Sequence, residues 1–158
     1  MDLYQELILD HSKHPQHAGL REPFGAEVHH VNTTCGDEIT LRVYLDDAAK
    51  GAEAVVQDIS YDALGCSIST ASVSILAQEC IGHTLAETME TYSAMRTMLT
   101  SRGQDNGNEE IIGDGVALAG VAQYPARVKC ALLGWSALTD ALARAGADLT
   151  TFTPEEDR

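Results

Sequence analysis

Asn32-Thr33-Thr34-Cys35-Gly36-Asp37-Glu38-Ile39-Thr40-Leu41-Arg42-Val43-Tyr44-Leu45 is the stretch that decides the fold. Ile39, Leu41, Val43 and Leu45 alternate with Thr40, Arg42 and Tyr44, the period-2 pattern of a strand with one face buried. Just before it, Cys35-Gly36-Asp37 reads as a turn, because Gly36 permits a sharp backbone reversal. Runs near 26–32 and 54–62 are β-prone, and the polar segment Asp46-Asp47-Ala48-Ala49-Lys50-Gly51 connects the second of these to the central strand. The simplest arrangement is a three-stranded antiparallel meander.

Everything outside this sheet reads as helix. Residues from about 2 to 13 carry Leu3, Tyr4, Leu7, Ile8 and His11 at helical spacing, and Pro15 and Gly19 end the run. Ser67 to Cys80 has two apolar sets, Ile68, Ala71 and Ile75, then Val73, Leu76, Ala77 and Cys80; a helix apolar on more than one face is buried. Thr84 and Glu87 form a capping box for a helix directing Leu85, Met89, Tyr92 and Leu99 inward. The segment from Ser101 to Asn108 has loop composition, and a short helix is expected around 115–122. A last helix starts at Pro125, with a stripe of Val128, Ala131, Leu132, Trp135, Leu138 and Leu142, and Gly146 closes it. The expected architecture is therefore α+β, with one domain over 1–146 and an acidic tail over 147–158 expected to be disordered.

Charge narrows the partners. Ten Lys and Arg stand against 24 Asp and Glu, a net charge of −14. A chain this acidic, with only Lys13, Lys50 and Lys129 as lysines, lacks the basic face that nucleic acid or an anionic membrane requires. A partner with a basic docking surface fits instead. The opening residues Met1 to Glu6 lack the basic and apolar regions of a signal peptide, and no apolar run approaches the roughly 20 residues that span a bilayer. The expected compartment is the cytoplasm, where cysteines bind metal or react rather than pair.

Four cysteines are present, and three fall where chemistry is possible. Cys35 shares the turn with Asp37, so a thiolate and a carboxylate can face one ion. Cys66 follows Gly65 at the start of a helix, whose free N–H groups favour a thiolate. Cys130 lies in the first turns of the last helix, beside Lys129 and near Arg127, and its direction departs from the Trp135 stripe. Cys80 belongs to the apolar set of its helix and is expected to be packed and unreactive. Cys35, Asp37, Cys66 and Cys130 together supply a tetrahedral set for zinc. There is no C-x-x-C knuckle, so the tertiary fold must bring them together. Of the histidines, His11, His14 and His17 read as a basic helix C-terminus, His29 and His30 as opposite faces of a strand, and His83 as a helix-junction residue; none is expected as a ligand.

These motifs resemble those of the U-type iron–sulfur cluster assembly proteins, the IscU/SufU family. Tyr4-Gln5-Glu6-Leu7-Ile8-Leu9-Asp10-His11 is similar to the family's N-terminal signature. Asn32 to Asp37, Gly65 to Ser72 and Arg127 to Trp135 are similar to its three cysteine motifs, in order. The longer stretch between Cys66 and Cys130, Lys129 before the third cysteine, and Tyr124-Pro125-Ala126-Arg127 where IscU carries a chaperone-binding segment point to the SufU branch. Departures are Thr33 where Pro is common, His14 and His17 where Asn is common, and Leu64 in place of a Gly. The resemblance implies a SufE/IscU-like fold and zinc on Cys35, Asp37, Cys66 and Cys130. It implies a SufS-type cysteine desulfurase as partner, with persulfide sulfur passed to Cys35 and on to downstream iron–sulfur assembly proteins. The alternative it leaves open is a scaffold carrying an iron–sulfur cluster or iron at the same site; a plain zinc-stabilised interaction module ranks below both.

Overall fold

A computed structural model describes residues 2–152. Strands β1 (Ala26–Asn32), β2 (Asp37–Leu45) and β3 (Val56–Leu64) form one antiparallel sheet in the order β1-β2-β3. Asn32 pairs with Asp37 across the first turn, and Glu38 pairs with both Val31 and Leu64. Alternate β2 residues from Asp37 to Leu45 are buried, as the sequence pattern requires. β3 ends at Leu64, beyond the 54–62 run, so the sheet delivers the chain directly to Gly65-Cys66.

Among the described residues, five α-helices accompany the sheet: α1 (Leu3–Lys13), α2 (Ser67–Cys80), α3 (Leu85–Leu99), α4 (Glu109–Ile112) and α5 (Pro125–Arg144). Asp2 and Gln5 form a capping box on α1, Thr84 and Glu87 form the one expected on α3, and Pro125 occupies the first turn of α5. The short helix expected at 115–122 is a 3-10 segment over Gly113–Gln123 that continues from α4. Beyond Gly146 the chain stays packed as far as Phe152: Ala147 is buried, and Leu149 and Phe152 lie against the core. The last six residues of the acidic tail, 153–158, lie outside the described residues.

The core sits between the sheet and the pair α2 and α5. Helix α5 packs on β1 and β2, and α2 packs on β3 and α5. Helix α2 is buried around much of its circumference, including Ser69, Ser72 and Ser74. A buried hydroxyl must find a partner, and each of these does. Ser72 donates to the Ala131 carbonyl at 2.6 Å and accepts from the Trp135 indole N–H at 3.1 Å. Gly134 lets the two helices approach closely, since a Cβ there would stand 3.1 Å from the Cβ of Val73.

Helix α1 forms where the periodicity places it, but its apolar residues are mostly uncovered. Leu3 and Tyr4 are exposed, Ile8 is partly buried, and only His11 is buried. The apolar stripe instead borders an open groove of about 600 Å³ against Ile68, Ala117, Val121 and Tyr124. His11 lies in the last turn of α1, as the sequence suggests, but it is buried and bridges to other elements. Its Nδ1 lies 2.7 Å from Ser74 Oγ and its Nε2 2.9 Å from Asp114 Oδ2. The same Ser74 hydroxyl accepts the backbone N–H of Gln16 at 2.8 Å. This buried bridge fastens α1 to α2 and to the 3-10 segment.

Candidate metal centre

Three chain segments meet at one end of the sheet. The first is the β1–β2 turn. Gly36 takes a φ of 75°, a conformation glycine adopts without strain, and its N–H donates to the Asn32 carbonyl at 2.8 Å. That turn leaves Cys35 exposed and buries Asp37, which is only 3% accessible. The second is the β3–α2 junction, where Cys66 is the N-cap of α2. The third is the first turns of α5, which carry Cys130.

The side chains converge. Cys35 Sγ lies 3.3 Å from Cys130 Sγ. Ligand atoms of Cys35, Asp37 and Cys130 all fall within 4.8 Å of one another. Cys66 Sγ lies 3.4 Å from Asp37 Oδ2, and the Cys66 backbone N–H donates to Asp37 Oδ1 at 3.0 Å. Thiolates about 2.3 Å from a tetrahedral ion stand about 3.8 Å apart, a separation this cluster accommodates. Three sulfurs and one carboxylate oxygen are a donor set suited to zinc, so the residues fit the metal. Among the described residues, no histidine joins the cluster.

The electrostatics follow from burial. Burial acts to raise the carboxyl of Asp37. Hydrogen bonds from Cys35, the Cys66 N–H, Cys130 and the Cys66 thiol outweigh it, so Asp37 stays below the usual carboxylate range. Cys130 is the reverse. It is only 5% accessible, and its thiol is pushed upward by burial first, then by hydrogen bonds with Cys35 and Asp37 and the nearby Cys66 charge. The sequence placed Cys130 off the core stripe with its thiolate favoured by Lys129 and Arg127. In the fold, the first turns of α5 press on β1 and the turn, so the Cys130 side chain is enclosed. Cys80 is packed as expected, fully buried and pushed up to about 12 by burial.

Supporting residues surround the donors. The Asn32 side chain accepts the Thr34 N–H at 3.1 Å and places its amide nitrogen 3.9 Å from Cys130 Sγ. Ser69 donates to the Cys66 carbonyl at 3.1 Å. Gly65 is required by space alone: a Cβ there would stand 2.6 Å from Ser69 Oγ and 2.7 Å from Asp37 Oδ1. The sequence displayed Gly65 beside Cys66 but gave no sign that Asp37 fills the place of its missing side chain. Next to the donors in the chain, Val31 and Leu64 are exposed. Val31 and Leu64 flank Glu38 on the solvent face of the sheet.

A three-stranded α+β fold thus carries a candidate metal site of Cys35, Asp37 and Cys130, with Cys66 beside Asp37 but outside that mutual 4.8 Å set. The NifU-like N terminal domain model matches residues 3–131, and the chain belongs to that family. It is 38% identical over 143 residues to the iron-sulfur cluster assembly scaffold protein IscU of Streptococcus pyogenes serotype M1, covering 90% of this chain and 84% of the relative. It is 34% identical over 143 residues to the zinc-dependent sulfurtransferase SufU of Bacillus subtilis (strain 168), covering 90% of each chain. A crystal structure of an iron-sulfur cluster assembly scaffold protein for the SUF system, from Fervidobacterium islandicum AW-1, superposes with a TM-score of 0.74 at 32% identity. That superposition covers 87% of this chain and 94% of the other. Among the described residues, no helix is long and apolar enough to cross a membrane.

Proposed function

We propose that this chain serves iron–sulfur cluster assembly as a zinc-dependent sulfur acceptor, with Cys35 taking persulfide sulfur from a SufS-type cysteine desulfurase. Zinc on Cys35, Asp37, Cys66 and Cys130 would hold the thiols as thiolates without adding redox chemistry of its own. The observation that carries the reading is the placement of Cys35: it is exposed on a turn with Cys130 buried behind it at 3.3 Å, whereas Cys66, also exposed, is fixed at the start of α2 with its sulfur 3.4 Å from Asp37. An acceptor thiol must reach a partner's sulfur, and Cys35 is placed to do so. In the transfer, the Cys35 thiolate attacks the outer sulfur of the desulfurase persulfide. The S–S bond of that persulfide breaks, the desulfurase cysteine leaves as thiolate, and Cys35 carries the new S–S bond. Exposed Val31 and Leu64, beside the strand ends that lead to the cysteines, offer apolar contact, and the net charge of −14 favours a basic docking surface on the desulfurase.

Mass spectrometry of the chain after incubation with a SufS-type desulfurase and cysteine tests this. One added sulfur on Cys35 is expected, and Cys35→Ala should carry none while still binding the desulfurase. A lasting added sulfur on Cys130 or Cys66, with Cys35 unmodified throughout, would refute the assignment.

A second reading is an iron–sulfur cluster scaffold, supported by the scaffold name of the Streptococcus pyogenes relative. Cys35, Cys66 and Cys130 would then ligate the cluster, with Asp37 as an exchangeable ligand. Visible cluster absorbance after anaerobic reconstitution with iron and sulfide, surviving gel filtration, would favour it over sulfur acceptance.

A further inference from the structure

We propose that Cys35 and Cys130 form a reversible intramolecular disulfide under hydroperoxide stress, and that this oxidised form is incompatible with metal at the same site. The proposal does not depend on the sulfur-transfer reading; it rests on the placement of the thiols.

Two thiols make a peroxide-sensing pair when one is open to the oxidant and the other waits within bonding reach. Cys35 is exposed and Cys130 is buried, with their sulfurs 3.3 Å apart. They belong to different elements, the β1–β2 turn and α5, 95 positions apart in the chain. Cys35 follows the turn residue Thr34 and precedes Gly36, the glycine at φ 75°, so a small turn adjustment can bring its sulfur to bonding distance. Cys66 is exposed as well, but as a rival partner it is less well placed. Its sulfur is turned toward the Asp37 carboxylate, at 3.4 Å, and toward Ser69 Oγ, at 3.8 Å. Cys80 lies at the far end of α2 and is fully buried.

The chemistry balances with hydrogen peroxide as oxidant. The Cys35 sulfur attacks one peroxide oxygen, the O–O bond breaks, and Cys35 sulfenic acid and one water result. The Cys130 sulfur then attacks the Cys35 sulfur, the S–O bond breaks, and the oxygen leaves as a second water with the Cys130 proton. The two thiols have lost two electrons, and the peroxide has gained them. Because the disulfide consumes two of the four donors, the oxidised chain has no tetrahedral thiolate set left. A cellular thiol reverses it by exchange.

Trypsin makes the test direct, since it cuts after Arg21, Arg42, Lys50, Arg96, Lys129 and Arg144. Cys35 falls in peptide 22–42, Cys130 in 130–144, and Cys66 and Cys80 together in 51–96. The full-length chain is treated with hydrogen peroxide as purified, after chelation, and after chelation with zinc restored. Free thiols are then alkylated and the digest is mapped. The chelated chain should show 22–42 joined to 130–144 as the dominant cross-link, and dithiothreitol should remove it. Restored zinc should abolish it, and in the zinc-loaded chain the cross-link should appear only together with zinc released to a colorimetric chelator. Cys66→Ser should retain the cross-link, and Cys130→Ser should send Cys35 on to the sulfinic acid. A dominant link to peptide 51–96 would overturn the proposal. So would Cys35 sulfinic acid in the wild type beside an unreacted Cys130. Should Cys130→Ser fail to fold, the wild-type map and Cys66→Ser decide the matter by themselves.

Discussion

Replacing Gly65 by alanine tests how the donors are held. The added Cβ would stand 2.6 Å from Ser69 Oγ, 2.7 Å from Asp37 Oδ1 and 2.8 Å from Asp37 Cγ. No Cβ tolerates such distances, so something must move. Ser69 can rotate away at the expense of its bond to the Cys66 carbonyl. Asp37 cannot move as cheaply, because it is buried and fixed by the Cys66 N–H at 3.0 Å. Overpacking of this kind costs about 1–3 kcal/mol. Displacing a group that orients a metal donor costs about 10–100-fold in metal affinity, or about 1.4–2.7 kcal/mol. The two ranges agree, since both describe the same shift of Asp37. The expected result is zinc affinity lowered by about 10–100-fold. With about 2 kcal/mol lost, Tm should fall by about 4–8 °C. Competition with a chromogenic chelator and thermal unfolding read the two effects. Gly65→Ala/Ser69→Ala separates the blockers: it should recover part of the stability but little of the zinc affinity, because the clash with Asp37 remains. Wild-type zinc affinity in Gly65→Ala would refute the reasoning.

Two further outcomes follow from buried groups. Burial acts to raise the carboxyl of Asp114, but hydrogen bonds from His11 and Gln78 outweigh it and hold it below its ordinary value. A depressed carboxyl contributes stability that is fully present above the ordinary value of about 3.9 and is lost as pH falls toward the folded value. Asp114→Asn should therefore lower stability at neutral pH and flatten its decline below about pH 4, as read by urea unfolding across that range. Cys80→Ser should leave the zinc content unchanged. It should still cost about 1–3 kcal/mol by burying a hydroxyl among apolar side chains, measured by elemental analysis and thermal unfolding.

The parts of the fold that were legible in the sequence are those with local causes. The alternation from Ile39 to Leu45 gave β2, the Thr84–Glu87 capping box marked the start of α3, and Pro125 marked the start of α5. Gly36 announced the turn that places Cys35 and Asp37. What was not legible depends on partners far along the chain. His11 looks like a helix-end charge until Ser74 and Asp114, 63 and 103 residues away, close around it. Cys130 looks free of the core because a helical stripe is judged from one helix, whereas its enclosure comes from β1 and the turn. The stripe of α1 was read correctly as apolar, but periodicity does not say whether a partner covers it, and here a groove lies open beside it. Gly65 escaped for the same reason, since its constraint is the carboxylate of Asp37 and not its own backbone.

The wide spacing of the cysteines also sets a timetable for synthesis. Cys35 and Cys130 are 95 residues apart. At about 5–20 residues per second, the ribosome delivers the second about 5–20 s after the first. During that interval the emerging polypeptide displays the turn thiol, Asp37 and then Cys66 without the helix that carries Cys130. On the proposed four-donor site, metal capture by the nascent chain engages at most three donors before α5 appears, so complete loading waits for that helix.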